Sequence, residues 1–254
     1  MNPSAVTPKI ANLFVTCMVD AFFPEAGMAT VDILEAQGYT VRFPEAQTCC
    51  GQPAFNAGFH NEARKMARHN INVLSQTEGV IILPSGSCTD MIVHHWRELF
   101  APNDPIQTQI EQIATRTYEL TQFLVDVLGV IDVGATGNGR VAYHPSCHGL
   151  RNLGLTYQAQ TLLANVHGIE LVDLPEAESC CGFGGLFAVK MSDISGAMLS
   201  RKLANVEASG ADILVGSDVS CLLHIAGGLH KQGKPIQVKH IAELLRPSPT
   251  ESEA

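Results

Sequence analysis

Two adjacent cysteines followed by glycine occur twice in this chain, and each time after nearly the same words. The first copy reads Phe43-Pro-Glu-Ala-Gln-Thr-Cys49-Cys50-Gly51, the second Leu174-Pro-Glu-Ala-Glu-Ser-Cys180-Cys181-Gly182. The remaining cysteines extend the match. Cys17, Cys49, Cys50 and Cys88 form one quartet; Cys147, Cys180, Cys181 and Cys221 form another, displaced by about 130 residues. The words before the last member of each also agree, Gly79-Val-Ile-Ile-Leu-Pro-Ser-Gly-Ser-Cys88 against Ala211-Asp-Ile-Leu-Val-Gly-Ser-Asp-Val-Ser-Cys221. A chain that repeats itself in this way is built from two copies of one unit, and that constraint precedes any choice of fold. The expected halves are 1–133 and 134–254, with the glycine-rich stretch Gly129–Gly139 as the linker.

The 254 residues suffice for two such units with their own cores. At 46% hydrophobic and 16% charged, the composition is globular. A formal charge of −9, with no Lys/Arg cluster, argues against non-specific nucleic-acid binding. No stretch approaches the ~18 apolar residues of a membrane span, and Met1–Lys9 lacks the basic and apolar regions of a signal peptide. The expectation is a cytoplasmic protein. Thiols stay reduced there, so eight cysteines read as metal ligands or redox groups before disulfides.

Apolar runs of strand length alternate with helical periodicity throughout. Ile10–Thr16, Tyr39–Phe43 and Gly79–Leu83 read as strands, with helices at Pro24–Gln37, His60–Ser75, Gln107–Ile113 and Thr121–Leu128. The second half repeats the order. Its strands are Arg140–Tyr143, Ile169–Asp173, Ile213–Val215 and Ile236–Val238. Its helices are Leu155–His167, Ala188–Ala208, one opening at Cys221, and His240–Leu245. Pro247–Ala254 reads as a frayed polar tail. The predicted class is α/β: two pseudo-equivalent repeats, each a mainly parallel sheet covered by helices. Each cysteine then follows a strand or opens the next helix, and ligands gather at the carboxyl ends of parallel strands.

Four cysteines suit tetrahedral zinc or an iron–sulfur cluster. Paired C-x2–4-C knuckles, the usual zinc pattern, are absent, and vicinal thiols chelate a single small ion only with strain. They can, however, each bind a different iron of a cluster. A glycine after each pair permits close backbone approach. Iron–sulfur is the favoured reading, with zinc and redox-active thiols as alternatives.

The pattern Cys…Cys-Cys-Gly…Cys resembles the cysteine-rich CCG domain found twice in one of the subunits of heterodisulfide reductase and in the glycolate oxidase iron–sulfur subunit. Cys17-Met-Val-Asp-Ala-Phe-Phe-Pro, Cys49-Cys-Gly-Gln-Pro-Ala-Phe-Asn, Pro84-Ser-Gly-Ser-Cys, Tyr118-Glu-Leu and Cys180-Cys-Gly-Phe-Gly-Gly further resemble the lactate utilisation protein A family, over nearly the whole chain. That resemblance implies an iron–sulfur subunit of a system oxidising L-lactate to pyruvate. It implies one cluster per repeat, and lactate utilisation proteins B and C or an equivalent redox complex as partners. Ser85 and Asp218 stand where the wider superfamily often has a further cysteine. Four thiols per site fit an ordinary 4Fe–4S cubane, two in all, with Ser85 or Asp218 as an oxygen ligand in reserve.

Around the quartets, His144 and His148 bracket Cys147, and His224 lies one helical turn after Cys221; these are candidates for hydrogen bonding to a thiolate. Adjacent His94 and His95 point different ways on a helix and are not expected to form a metal pair. Gly182-Phe-Gly-Gly185 lacks the context of a nucleotide loop, and Glu45 and Glu176 read as turn residues rather than catalytic acids. No catalytic residue is predicted. The expected role is one-electron transfer, with no lactate or flavin site on this chain. The rivals are a thiol or iron–sulfur reductase acting directly on substrate, and a zinc-binding structural protein.

Overall fold

The computed structural model describes residues 9–248. Most of the expected N-terminal stretch Met1–Lys9 and the tail beyond Ser248 lie outside the described residues. In chain order the first half contains β1 (Lys9–Leu13), α1 (Cys17–Phe22), α2 (Pro24–Ala36), β2 (Tyr39–Arg42), α3 (Gln52–Asn56), α4 (His60–Leu74), β3 (Val80–Leu83), α5 (Gly86–Asp90), α6 (Ile106–Ala114), β4 (Thr117–Glu119) and α7 (Leu120–Gln122). The second contains β5 (Thr136–His144), α8 (Gln158–Ala164), β6 (His167–Val172), α9 (Leu186–Lys190), α10 (Ser192–Ala208), β7 (Ile213–Gly216), α11 (Val219–Lys231), β8 (Gln237–His240) and α12 (Ile241–Leu244). Short π-helical segments continue the cysteine-bearing turns at Met91–His95 and His148–Asn152.

Each half is a four-stranded parallel sheet, and the order is the same: β2-β1-β3-β4 and β6-β5-β7-β8. Leu13 pairs with Ile82 in the first, and Tyr143 with Val215 in the second. The repeat in the sequence is thus a repeat in topology. In both sheets the strand order reverses beside the first strand, and the crevice at such a point is where α/β sheets bind ligands. Cys17 and Cys88 follow the two strands flanking that point in the first sheet; Cys147 and Cys221 do so in the second.

The central strands are covered on both sides, which explains their continuous apolar text. Phe14 and Trp96 join β3 and α4 in a core with Ala63, Ile71, Ile81 and Leu83; β7, α10 and α11 build the matching one from Leu214, Leu203, Val206 and Ile225. The opposite faces of the two sheets do not close separately. Ala29, Ile33 and Leu34 of α2 share one cluster with Val141, Leu163, Val215, Ile241 and Leu245 of the second half. α2 begins with Pro24 in its first turn and ends at Gly38, whose φ of 79° is the left-handed stop helices prefer. Arg246 fastens the same contact from outside, 2.5 Å from Asp32.

Four expectations need correction. Gly129–Gly139 is not simply a linker: Thr136–Gly139 already belongs to β5, with a register shift that its glycines accommodate, and Val133 and Ala135 are buried in the shared core. β4 is absent from the expected elements, because three residues of mixed polarity carry no periodic signal. The long helix Ala188–Ala208 is broken into α9 and α10 at Met191, whose φ/ψ of −122°/48° is not helical. The start of the supposed tail is held in place: Pro247 bridges to Ala135, and the Ser248 and Thr136 hydroxyls lie 2.8 Å apart.

Candidate metal centre

The three loops that follow β1, β2 and β3 deliver the first quartet to one place. Cys17 opens α1 behind Thr16, which adopts φ 69° and accepts a hydrogen bond from the Val19 amide at 3.4 Å. The Cys49-Cys50 loop is tied down by side chains from every neighbour. Buried Asn70 of α4 accepts from the Thr48 amide at 2.9 Å and donates to the Cys49 carbonyl at 2.9 Å. Gln47 donates to the Leu13 carbonyl, Trp96 to the Cys50 carbonyl, and Gln52 to the Ser87 carbonyl beside Cys88. Cys88 sits in the first turn of α5, whose N-cap Ser85 accepts from the Cys88 amide at 3.3 Å.

Gly51 and Gly182 show why each pair needs its glycine. Their φ values are 93° and 90°, a region that side chains rarely adopt. A Cβ on Gly51 would stand 3.3 Å from the Ala63 carbonyl oxygen, and one on Gly182 would stand 2.8 Å from that of Ser195. The close approach is therefore to the backbones of α4 and α10. In the second half Lys202 holds the loop, its buried ammonium donating to the carbonyls of Glu176 at 3.1 Å and Ala177 at 2.9 Å. Glu176 lies in the turn, as Glu45 does, and its carboxylate pairs with Arg201 at 2.6 Å.

All eight cysteines are free thiols, and both quartets line a single cavity of about 600 Å³. Within each quartet the thiols form a chain of contacts. Cys17 meets Cys49, Cys49 meets Cys50, and Cys50 meets Cys88 at 3.3 Å; Cys147, Cys180, Cys181 and Cys221 follow the same sequence. Hydrogen bonds from neighbouring thiols hold Cys49 and Cys180 well below the ordinary thiol range. The same contacts, with burial, push Cys17, Cys50, Cys147 and Cys181 up. Such crowding disfavours charge on several sulfurs at once, because like charges in one low-dielectric site cannot all ionise. Full deprotonation requires a cationic centre among them. Four soft donors, two of them vicinal, fit the expected iron–sulfur group at each site.

The other candidates take diverse positions. Ser85 is a buried helix cap. Asp218 reaches across to the first half: its Oδ2 accepts from the Ser87 amide at 2.9 Å, while Oδ1 accepts from the Ser220 hydroxyl. Both line the cavity. His148 lies 2.6 Å from Asp90, and that hydrogen bond raises its pKa. His224 lies 3.4 Å from the Ser195 hydroxyl and meets Phe183 edge-on. His144 is 2% exposed, and neither ring nitrogen has a hydrogen-bond partner; its contact with the Ala177 backbone falls short of normal geometry. Burial, then the Lys202 charge, lowers its pKa to about 4.

Sequence reasoning missed Asp90. This buried carboxylate gathers His148, Asn152 of the second half at 2.7 Å, and His94 at 2.8 Å; His95 lies 3.4 Å away. His94 and His95 thus share a buried anion. The available signal was a charged residue inside the apolar run from Cys88 to Trp96. It missed Lys202, Asn70 and His240 as well. His240 Nε2 lies 3.0 Å from the Pro84 carbonyl of the other half.

Comparison with known proteins agrees with this geometry. The family model of the cysteine-rich domain, CCG, matches twice, at residues 11–93 and 141–226. The chain is 48% identical over 234 residues to Lactate utilization protein A of Shouchella clausii, covering 92% of this chain and 97% of that one. It is 48% identical to the same-named protein of an Exiguobacterium species, over 94% and 97% of the two chains, and 45% identical to that of Halalkalibacterium halodurans, over 92% and 95%. Among solved structures, a hypothetical protein from Helicobacter pylori aligns with a TM-score of 0.65 at 12% identity. The alignment covers 98% of this chain and 51% of that one, and shows a shared fold.

Proposed function

The chain belongs to the Lactate utilization protein A family, and from that premise we propose that it is the iron–sulfur electron-transfer subunit of a system oxidising L-lactate to pyruvate. The observation that carries this reading is the convergence of two like-built thiol quartets on one cavity. A bound iron–sulfur cluster supplies one-electron transfer over a range of potentials set by charge, hydrogen bonds and burial.

The residues of the chain do the rest. Cys17, Cys49, Cys50 and Cys88 would hold the first cluster; Cys147, Cys180, Cys181 and Cys221 would hold the second, both of the 4Fe–4S type. Asn70 and Lys202 fix the vicinal pairs. Lys202 also places a positive charge beside the second site, whose thiolates oppose the drop that burial imposes on its pKa. Electrons would pass to lactate utilisation proteins B and C or an equivalent redox complex. Among the described residues no helix is long and apolar enough to cross a membrane.

Iron and acid-labile sulfide content, with an absorption spectrum, on protein purified without oxygen tests the reading. About eight irons per chain and a broad visible shoulder are expected for two cubanes. Zinc in their place, or no metal under full reconstitution, would overturn it.

A second reading has one observation in its favour. A cavity of about 600 Å³ reached by both quartets is of the size that takes small molecules. A thiol or iron–sulfur reductase acting on substrate there would lose turnover in a Cys-to-Ser variant that keeps its full iron content. A pure relay loses iron and electron transfer together.

A further inference from the structure

The two quartets are built alike, but their surroundings differ at one position. Phe14 stands three residues before Cys17, and His144 stands three residues before Cys147. Both leave the carboxyl end of the first strand of their sheet, and both are buried, at 1% and 2% exposure. In the first half the phenyl ring packs in the core with Cys50. In the second an imidazole occupies the corresponding place. One of its ring nitrogens and the sulfurs of Cys181 and Cys221 all lie within 4.8 Å of one another.

A buried imidazole without partners is an expensive feature, since each unsatisfied polar group forfeits its hydration. Lys202, which shares the Ala177 loop, donates to carbonyls instead. His148 is taken by Asp90, and the His224 ring lies beside Ser195. Among the described residues, His144, Cys181 and Cys221 form the one group of three metal-binding side chains that close together. An imidazole nitrogen and two thiolates are donors that the same borderline metals accept together.

We propose that His144 is a metal ligand of the second centre, one ring nitrogen taking the iron position of one of the four cysteines assigned to it above, whose thiol then keeps its proton. The two centres are then chemically distinct: the first is held by four thiolates, the second by three thiolates and an imidazole. The neutral ring gives one lone pair and releases no proton, since its other nitrogen keeps its hydrogen. Replacing thiolate character by imidazole raises the potential of an iron–sulfur centre, and the Lys202 charge acts in the same direction. The second centre is therefore the electron sink of the pair. This inference rests on the iron–sulfur reading above.

The test is pulsed electron paramagnetic resonance on the full chain, purified without oxygen, reduced, and prepared with histidine of natural abundance or labelled with the heavy nitrogen isotope. Iron and sulfide are measured on the same sample. The expected result is a strong nitrogen coupling, of the size seen for a directly bound imidazole, that changes on labelling. It disappears in His144→Phe, which copies the side chain the first half carries at this place, and the higher of the two potentials falls. His144→Gln serves as a second variant, and the wild-type coupling stands without either. Iron and sulfide present with no histidine coupling, or with only the weak coupling of a hydrogen-bonded ring, would overturn the assignment and leave the iron–sulfur reading intact. A strong coupling that survives in both variants would transfer the role to another histidine and overturn it too. Absence of iron and sulfide would sink the underlying reading itself.

Discussion

The residues that matter most here are those whose burial conflicts with their chemistry. Glu119 is fully buried at the end of β4. Its Oε2 caps α7 by accepting from the Thr121 amide at 2.7 Å and the Gln122 amide at 3.1 Å, while Oε1 has no partner. Burial, only partly offset by those hydrogen bonds and reinforced by Asp218, raises its pKa to about 7 from 4.5. Because the folded value lies above the unfolded one, its contribution is fully present below pH 4.5 and is lost as pH rises through 7. The metal-free protein is expected to lose up to roughly 3 kcal/mol between about pH 5 and pH 8 from this group. Glu119→Gln should flatten that part of the urea-unfolding profile; an unchanged slope would rule the assignment out. Gly182 illustrates the opposite case, a small residue imposed by geometry. Gly182→Ala is expected to destabilise by about 1–3 kcal/mol, from strain at positive φ and the clash with the Ser195 carbonyl. Denaturant midpoints would show it, and a change within error would mean the loop relaxes freely.

At the scale of elements, each half braces the cysteine-bearing helix of the other. Asp90, two residues after Cys88, holds His148 and Asn152 in the segment following Cys147. Asp218, three residues before Cys221, caps the amide of Ser87 just before Cys88. His240 reaches the Pro84 carbonyl in the same region. The Asp90 contacts are buried and charge-assisted, the kind that cost most to break. Asp90→Asn keeps the shape and removes the charge. It should lower stability by roughly 1.5–3 kcal/mol and reduce iron at the second centre more than at the first. Equal iron loss at both centres, or none, would show that the brace does not act on Cys147.

The whole molecule is two repeats that share one of their core clusters. The cluster joining α2 to α12 draws on both halves, so neither sheet is sealed by its own residues. Trp96 is the only tryptophan and belongs to the first half, where it is fully buried. Leu163 lies in the second half and in the shared cluster. Leu163→Ala should cost about 2–5 kcal/mol and shift the Trp96 fluorescence transition by the same amount as the circular-dichroism transition. A fluorescence transition that stays put would mean the halves unfold independently. The repeat in the sequence thus describes how the chain is written, while cooperativity follows from the fused core.

The sequence by itself determined the repeat, the parallel α/β class, the family, and which cysteines group together. Those properties are local, or recur at a fixed offset: a doubled Cys-Cys-Gly, apolar strands bounded by turns, helices punctuated by glycine and proline. It did not announce β4, the strand pairing of the glycine-rich stretch, or the break at Met191, because backbone pairing and local helix geometry leave little trace in side-chain periodicity. Above all it could not place Asp90, Lys202 and Asn70 against the cysteine loops, send Asp218 to the Ser87 amide of the other half, or show that His144 lacks a partner while Phe14 fills the matching place. Those facts depend on which side chains meet across tens to more than a hundred residues of chain, and only tertiary packing decides that. The two quartets are equivalent as text and inequivalent as sites, because the residues that distinguish them lie outside the repeated words.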